Sequence, residues 1–290
     1  MITEFTRYRA LLFSIAYRML GTVGDAEDMV QETYLRWQGA VAGDSATPAV
    51  PKAWLTTVLT RLCLDHLRSA RVRREEYVGP WLPEPLLTDP AADPAEGAAL
   101  ADSLSLAFLA VLERLNPVER AVFLLHDIFG YDFAEIAPMV GKSAANCRQL
   151  AHRARAHLAA HRPRFAPAPE VRERLTRHFV AACTSGDLPG LVATLADDIT
   201  LWSDGGGKVL AARRPIHGAE KVARFLLGIV QHAPTGVDYH LAAVNGQAAL
   251  VGSLGGAVYG VLALDIAEER IVGIAIVVNP DKLARLRPTP

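Results

Sequence analysis

With 290 residues, 51% of them hydrophobic and 21% charged, the chain has a globular composition and room for two or three domains. A formal net charge of −1 excludes a protein drawn to nucleic acid by a global positive field, so any such contact must come from a local basic surface or from a partner that supplies affinity. Cys63, Cys147 and Cys183 form no CxxC pair, which points to reduced thiols and the cytoplasm, and no run reaches the roughly 18 apolar residues of a membrane span.

The first 76 residues read as helices. Glu4, Arg7 and Arg9 interrupt any secretory signal. From Phe5 to Leu20, Leu12, Ile15, Ala16, Met19 and Leu20 recur at helical spacing, and Gly21 stops the run. A second helix opens at Gly24-Asp25 and runs to about Ala40. Its inner stripe is Met29, Val30, Thr33 and Trp37. Asp25, Glu27, Asp28, Gln31, Glu32 and Arg36 are left outside, as a solvated face or a docking face for a basic partner. After a Gly/Ala/Ser-rich loop, Gln38 to Val50, Pro51 opens a third helix. Leu55, Val58, Leu59 and Leu62 form its apolar stripe, while Arg61, Asp65, Arg68 and Arg71 run along another face. Trp54 is either core or a platform on which an unpaired base stacks.

Tyr77 to Pro85, YVGPWLPEP, holds three prolines in six residues, which excludes helix interior and central strand. It is a stiff tether whose aromatics need a surface to bury against. An Ala/Asp/Pro-rich linker follows to about residue 100. Asn116-Pro117-Val118-Glu119 is a helix start with cap, Pro at N1 and Glu at N3. That helix ends near Phe129, a short one covers Phe133 to Val140, and after a Gly141 turn Ser143 caps a long one to about Ala160. Its buried stripe is Cys147, Leu150, Ala151, Ala154 and Leu158. Lys142 to Arg164 holds six Lys/Arg and no acid. A short helix, a Gly turn and a basic second helix make a helix-turn-helix outline, in which Asn, Gln and Arg reach base edges and further Arg residues meet phosphates. Pro138, inside the first helix of that outline, is expected to shorten or kink it.

Three prolines between Arg162 and Pro169 mark a boundary. Two helices follow, Glu170 to Ser185 and Leu188 to Ala196. Strands are expected at Ile199 to Ser203, Val237 to Val244, Ala248 to Leu254, Ala257 to Ile266 and Ile271 to Val278, with a helix from Ala219 to His232. This is an α+β domain with an Asn245-Gly246 hairpin. Asp204-Gly205-Gly206-Gly207-Lys208 is a glycine loop without the spacing of a phosphate-binding P-loop. Asn279-Pro280-Asp281-Lys282-Leu283 is a capped helix start.

The residues Gly24-Asp25-Ala26-Glu27-Asp28-Met29-Val30-Gln31-Glu32, Pro51 to Leu55 and the Leu112 to Leu158 unit resemble the extracytoplasmic-function (ECF) sigma factors of bacterial RNA polymerase. Tyr77 to Pro85, Asp204 to Lys208 and Asn279 to Leu283 resemble the signatures of the subgroup with a C-terminal SnoaL-like (NTF2-like) domain. The resemblance implies two all-α sigma domains, 1–76 and 101–165, a Pro-rich linker over 77–100, and an α+β NTF2-like cone over 170–290. It implies core RNA polymerase, through its clamp and flap, and promoter DNA as partners. Asp28, Gln31, Glu32 and Arg36 would meet the clamp. Trp54, Arg61, Arg68 and Arg71 would handle the minus-ten element, and Ser143, Asn146, Arg148, Gln149, His152 and Arg153 the minus-thirty-five element. Trp81, Asp204, Gly205, Gly206, Gly207, Lys208, Asn279, Pro280, Asp281 and Lys282 would serve interdomain regulation, with Asp204 and Lys208 pairing with charges on the sigma half. The cone would stand in for a separate anti-sigma factor, and its interior is a candidate site for a small ligand. No metal, cofactor or membrane contact is expected.

Two other readings compete. In one the cone is an enzyme using Asp204, His217, Asp238, His240 or Asp265, although their scatter forms no acid–base constellation. In the other the chain is a one-component helix-turn-helix regulator with a sensor domain, which would have no use for the acidic second helix.

Overall fold

The computed structural model describes residues 2–42, 48–75, 77–88, 103–159, 169–267 and 269–286, without the side chains of residues 2, 3, 70–75, 159 and 169. They form two compact units, Met1–Glu76 with Val111–His161, and Tyr77–Ala110 with Arg162–Pro290.

The first unit is helical. α1 (Ile2–Leu20), α2 (Val23–Ala42) and α3 (Pro51–Glu75) bury one stripe each: Leu12, Ile15, Ala16 and Met19, then Ala26, Val30, Thr33 and Trp37, then Leu55, Leu59, Cys63 and Leu67. Ala26 joins the inner stripe, Met29 is only half-buried, and the helix starts at Val23, one residue before Gly24. The chain re-enters this unit along α4 (Leu106–Leu112). α5 (Pro117–Phe123) starts at a capping box. Asn116 Oδ1 accepts from the N–H groups of Val118 (3.1 Å) and Glu119 (2.9 Å), and Glu119 reaches back to Asn116 N–H. Leu124–Ile128 then winds as a π turn, which no feature of the sequence announced.

α6 (Phe133–Val140) is not shortened by Pro138. In an eight-residue helix the missing N–H removes a single bond, and burial of Ile136, Met139 and Val140 holds the rest. Gly141, at φ 67, makes the left-handed turn into α7 (Ala144–Ala159).

The two helical groups pack on each other within this unit. The Tyr131 hydroxyl meets Thr56 Oγ1 at 3.0 Å, and Arg61 Nη2 donates to Pro138 O at 2.7 Å. Arg120, 2% exposed, donates to Met19 O (2.6 Å) and pairs with Glu113 (2.5 Å), and its burial lowers its pKa.

The second unit is built on α8 (Pro169–Ser185), α9 (Leu188–Thr194) and a six-stranded sheet. Its strands are β1 (Leu195–Asp204), β2 (Ile216–His217), β3 (Asp238–Val244), β4 (Gln247–Leu254), β5 (Ala257–Ala267) and β6 (Arg270–Val277), in the order β2-β1-β6-β5-β4-β3. α10 (Ala219–Gln231) lies between β2 and β3, and α11 (Pro280–Leu283) follows β6. β1 and β6 are parallel and the other pairs antiparallel. The two-residue β2 escaped the sequence reading because it is too short to show alternation.

One face of the sheet packs Leu264, Ile274 and Ile276 against Phe179, Leu191, Val222 and Leu226 of the helices. The opposite face, with Val244, Ala249, Val251, Val261, Ala263, Ala275 and Val277, is covered by Leu82 and Leu106, flanked by Leu87 and Ala110. Leu82 and Leu87 belong to the stretch between the two helical groups, and Leu106 and Ala110 to α4. Burying a leucine contributes about 1.5–3 kcal/mol, so this stretch is part of the second unit rather than a free spacer.

Candidate nucleic-acid interface and linker clamp

On α7 the apolar and polar residues separate as the 3.6-residue period requires. Cys147, Ala151, Ala154 and Leu158 are buried and Leu150 is half-buried, while Ser143, Asn146, Arg148, Gln149, His152 and Arg153 are exposed. Ser143 Oγ accepts from Asn146 N–H at 3.2 Å, which closes the helix start and leaves the next turn outward. The Arg148 guanidinium lies 5.8 Å from the Phe133 ring centroid, so α6 props the arginine that leads the basic face. Among the described residues no carboxylate pairs with Arg148 or Arg153, and Arg155 is tied to Asp127 at 2.7 Å.

On α2, Asp28, Gln31 and Arg36 are exposed and Glu32 is half-buried, with Arg36 bonded to Glu32 at 2.9 Å. Leu35, 53% exposed, joins Asp28, Gln31 and Glu32 on one stripe and was missed by sequence reasoning. An exposed leucine on an acidic stripe was visible from its i+7 spacing to Asp28. On α3, Trp54 is half-buried with its ring 5.6 Å from that of Trp37. Arg61 is bonded to Pro138 O and Arg68 pairs with Asp65 at 2.9 Å, while the side chain of Arg71 lies outside the described residues.

The three motifs of the tether, the glycine loop and the last helix meet around one carboxylate. Asp204, 1% exposed at the end of β1, accepts from the Tyr77 hydroxyl (2.5 Å) and Gly206 N–H (3.0 Å) on Oδ1. On Oδ2 it accepts from Leu82 N–H (2.9 Å) and the Lys282 ammonium (2.7 Å). Lys282 also donates to Leu82 O. Its ammonium lies 4.2 Å from the Trp81 ring centroid and 5.1 Å from that of Tyr77. Asn279 Oδ1 caps α11 at Asp281 N–H (3.1 Å), and its Nδ2 donates to the Tyr77 oxygen (2.9 Å).

Gly206, at φ 61, has no room for a side chain, since a Cβ there would lie 2.3 Å from Asn279 Nδ2. Gly205 is also confined, against Val209 O (2.6 Å), while Gly207, at φ 71, would only press on Val78 at 3.1 Å. Burial, then the bond to Asp204, raise the Tyr77 pKa, so the phenol stays protonated and donates. Lys208 pairs with Asp281 at 2.6 Å. Asp204 and Lys208 therefore find these partners on the tether and the last helix of their own unit rather than the expected charges on the sigma half.

The candidate enzyme residues do not converge. Asp204 is taken up by Tyr77, Leu82, Gly206 and Lys282. His217 lies on β2, at one edge of the sheet, bonded to Thr200 at 3.0 Å. Asp238 and His240 lie on β3 at the opposite edge. Asp265 lines a cavity of about 10 Å³ with Trp202, Gln247 and Leu106, room for one water molecule at most. Among the described residues no cluster of His, Cys, Asp and Glu could hold a metal ion.

The Sigma-70 region 2 model matches residues 5–73 and the Sigma-70 region 4 model residues 105–158. The ECF RNA polymerase sigma factor SigJ of Mycobacterium tuberculosis is 41% identical over 97% of this chain and 92% of its own. The chain belongs to the ECF RNA polymerase sigma factors. Among its other relatives, the probable ECF sigma factor SigI of the same species is 38% identical over 97% of this chain and 93% of that protein. The crystal structure of M. tuberculosis SigJ aligns with a TM-score of 0.79 and 38% identity, covering 98% of both chains.

In this sigma factor, region 2 comprises α1 to α3 and region 4 comprises α4 to α7. The α+β cone follows them, and no helix among the described residues is long and apolar enough to cross a membrane. The direct packing of Tyr131 on Thr56 and of Pro138 on Arg61 is thus a region 2–region 4 contact. Sequence reasoning missed it, because a tyrosine in a turn and a carbonyl behind a proline carry no signature.

Proposed function

We propose that this sigma factor docks on the clamp of core RNA polymerase through the α2 stripe Asp28, Gln31, Glu32 and Arg36. α3 handles the minus-ten element with Trp54, Arg61, Arg68 and Arg71, and α7 reads the minus-thirty-five element with Ser143, Asn146, Arg148, Gln149, His152 and Arg153, on the flap side. The observation that carries this reading is the division of α7, whose polar residues all lie outward over a buried apolar stripe. The protein acts in the cytoplasm and performs no covalent chemistry of its own. Footprinting of holoenzyme on a responsive promoter tests it: Arg148→Ala and Arg153→Ala weaken protection of the upstream element and leave core binding intact.

The cone modulates activity by holding the stretch that joins regions 2 and 4, through Trp81, Asp204 to Lys208 and Asn279 to Lys282. It does so without a separate anti-sigma factor. Contacts of Arg61 and Thr56 with region 4 support a compact, less active arrangement that core enzyme opens by binding the separated form better. A small ligand in the cavity beside Asp265, about 10 Å³ in volume, would have to displace a lining side chain such as Leu106.

A further inference from the structure

The turn between β3 and β4 makes a second grip on the same stretch, independent of the Asp204 cluster. Asn245 is 1% exposed at φ 53. Its N–H donates to Leu86 O (2.8 Å), its Oδ1 accepts from Leu86 N–H (2.9 Å), and its Nδ2 donates to Leu104 O (2.9 Å). Beside it, Thr88 N–H donates to Ala243 O (2.9 Å), Thr88 Oγ1 accepts from Gly246 N–H (3.0 Å), and Leu87 bridges Val244 in antiparallel register.

A tight turn of this kind needs φ > 0 at both central residues, and glycine satisfies that as well as asparagine. A buried amide spent on a distant segment is more than the turn requires. One side chain therefore joins Leu86 to Leu104, two residues before α4 carries the chain into region 4. While both ends are held, the stretch meets the cone at fixed places on both sides of the turn, and loss of the Asn245 bonds frees Leu86 and Leu104 even where Leu82 and Leu106 keep their own contacts.

We propose that Asn245 is a positioning residue for region 4. It fixes where the connecting stretch leaves the cone, and so narrows the range of distances between promoter elements that the sigma factor accepts. The inference rests on the promoter-reading function above.

Two full-length variants test it. Asn245→Gly keeps the turn and removes the side-chain bonds to Leu86 and Leu104. Asn245→Asp keeps the acceptor for Leu86 but sets a carboxylate against the Leu104 carbonyl. Hydrogen exchange reads the grip, and run-off transcription with core enzyme, over promoters whose spacer varies base pair by base pair, reads the positioning. In Asn245→Gly the Leu86 and Thr88 amides exchange about tenfold faster, the change expected for one lost buried bond, while β5 and β6 keep their protection. In Asn245→Asp, Leu86 stays protected and the Phe108 and Leu109 amides lose protection. Both variants transcribe from spacers the wild type rejects.

Unchanged exchange at all four amides overturns the grip, and an unchanged spacer profile despite faster exchange overturns its positioning role. If Asn245→Gly also deprotects β5 and β6, Asn245→Asp decides by the same two readouts. Absence of any transcript from the wild type would instead overturn the promoter-reading function beneath the proposal.

Discussion

Asp204 gathers four donors in a site that excludes water, and two of them, Leu82 N–H and the Tyr77 hydroxyl, come from the tether. Removing one partner of a buried ion pair costs about 3–5 kcal/mol, because the other charge is stranded. Lys282→Met is therefore expected to destabilise the cone by that amount, and Asp204→Asn with Lys282→Met to cost less than the sum of the single changes. A double-mutant cycle by chemical denaturation, with Trp81 fluorescence reporting the tether, measures the coupling.

Tyr77 adds a pH dependence of definite sign. Its folded-state pKa is raised above the ordinary value of 10. Stability from the protonated phenol is full below pH 10 and is lost as pH rises through the folded value. Tyr77→Phe, lacking that proton, should show a shallower alkaline loss of stability than the wild type. The glycine loop stood out in the sequence, but its partners did not. Which side chain meets Asp204 depends on β1 lying parallel beside β6, a pairing of residues far apart in the chain. Gly206 is a glycine because Asn279 occupies the space, which no local pattern reveals.

At the scale of elements, the helices and strands were legible within a residue or two wherever a cap or a turn residue marked them, as at Asn116, Gly141 and Asn245-Gly246. The π turn, β2 and the Ala26 stripe were not, since each is decided by packing rather than by local composition. The same limit hid the association of α3 with α6. There Tyr131→Ala is expected to leave a hole beside the buried Thr56 hydroxyl and to loosen region 4 from region 2. Faster hydrogen exchange in α3 and tighter binding to core enzyme would register the change, and slower core binding would contradict a restraining role.

On α2, if the proposed clamp surface is basic, Asp28→Lys with Glu32→Lys places like charges across that contact, at a cost of several kcal/mol. Core binding falls while the isolated protein keeps its helical circular dichroism. Arg148→Ala and Arg153→Ala belong to α7. Loss of a base contact costs about 1–3 kcal/mol and relaxes specificity at one position, whereas loss of a phosphate contact weakens all sequences alike and flattens the salt dependence.

For the whole molecule, the stretch between regions 2 and 4 is the hinge of the account. Its prolines and aromatics showed that it needed a surface, and the cone supplies one: Leu82 and Leu87 on its apolar face, and Tyr77 and Trp81 against Lys282. A chain cut after Ala166 would leave Leu82, Leu87 and Leu106 without that cover, so its behaviour would mix loss of regulation with exposure of apolar surface. Point changes in the full-length protein separate the two. The net charge of −1 fits a subunit whose DNA affinity is completed by core enzyme, and it predicts weak promoter binding by the protein alone. The most direct test is run-off transcription from a responsive promoter by core enzyme with the full-length protein, wild type beside Asp28→Lys/Glu32→Lys. A transcript from one start site with the wild type, absent without it and lost with the reversal, is the expected result. Equal transcript from wild type and reversal, or none from either, would contradict the account.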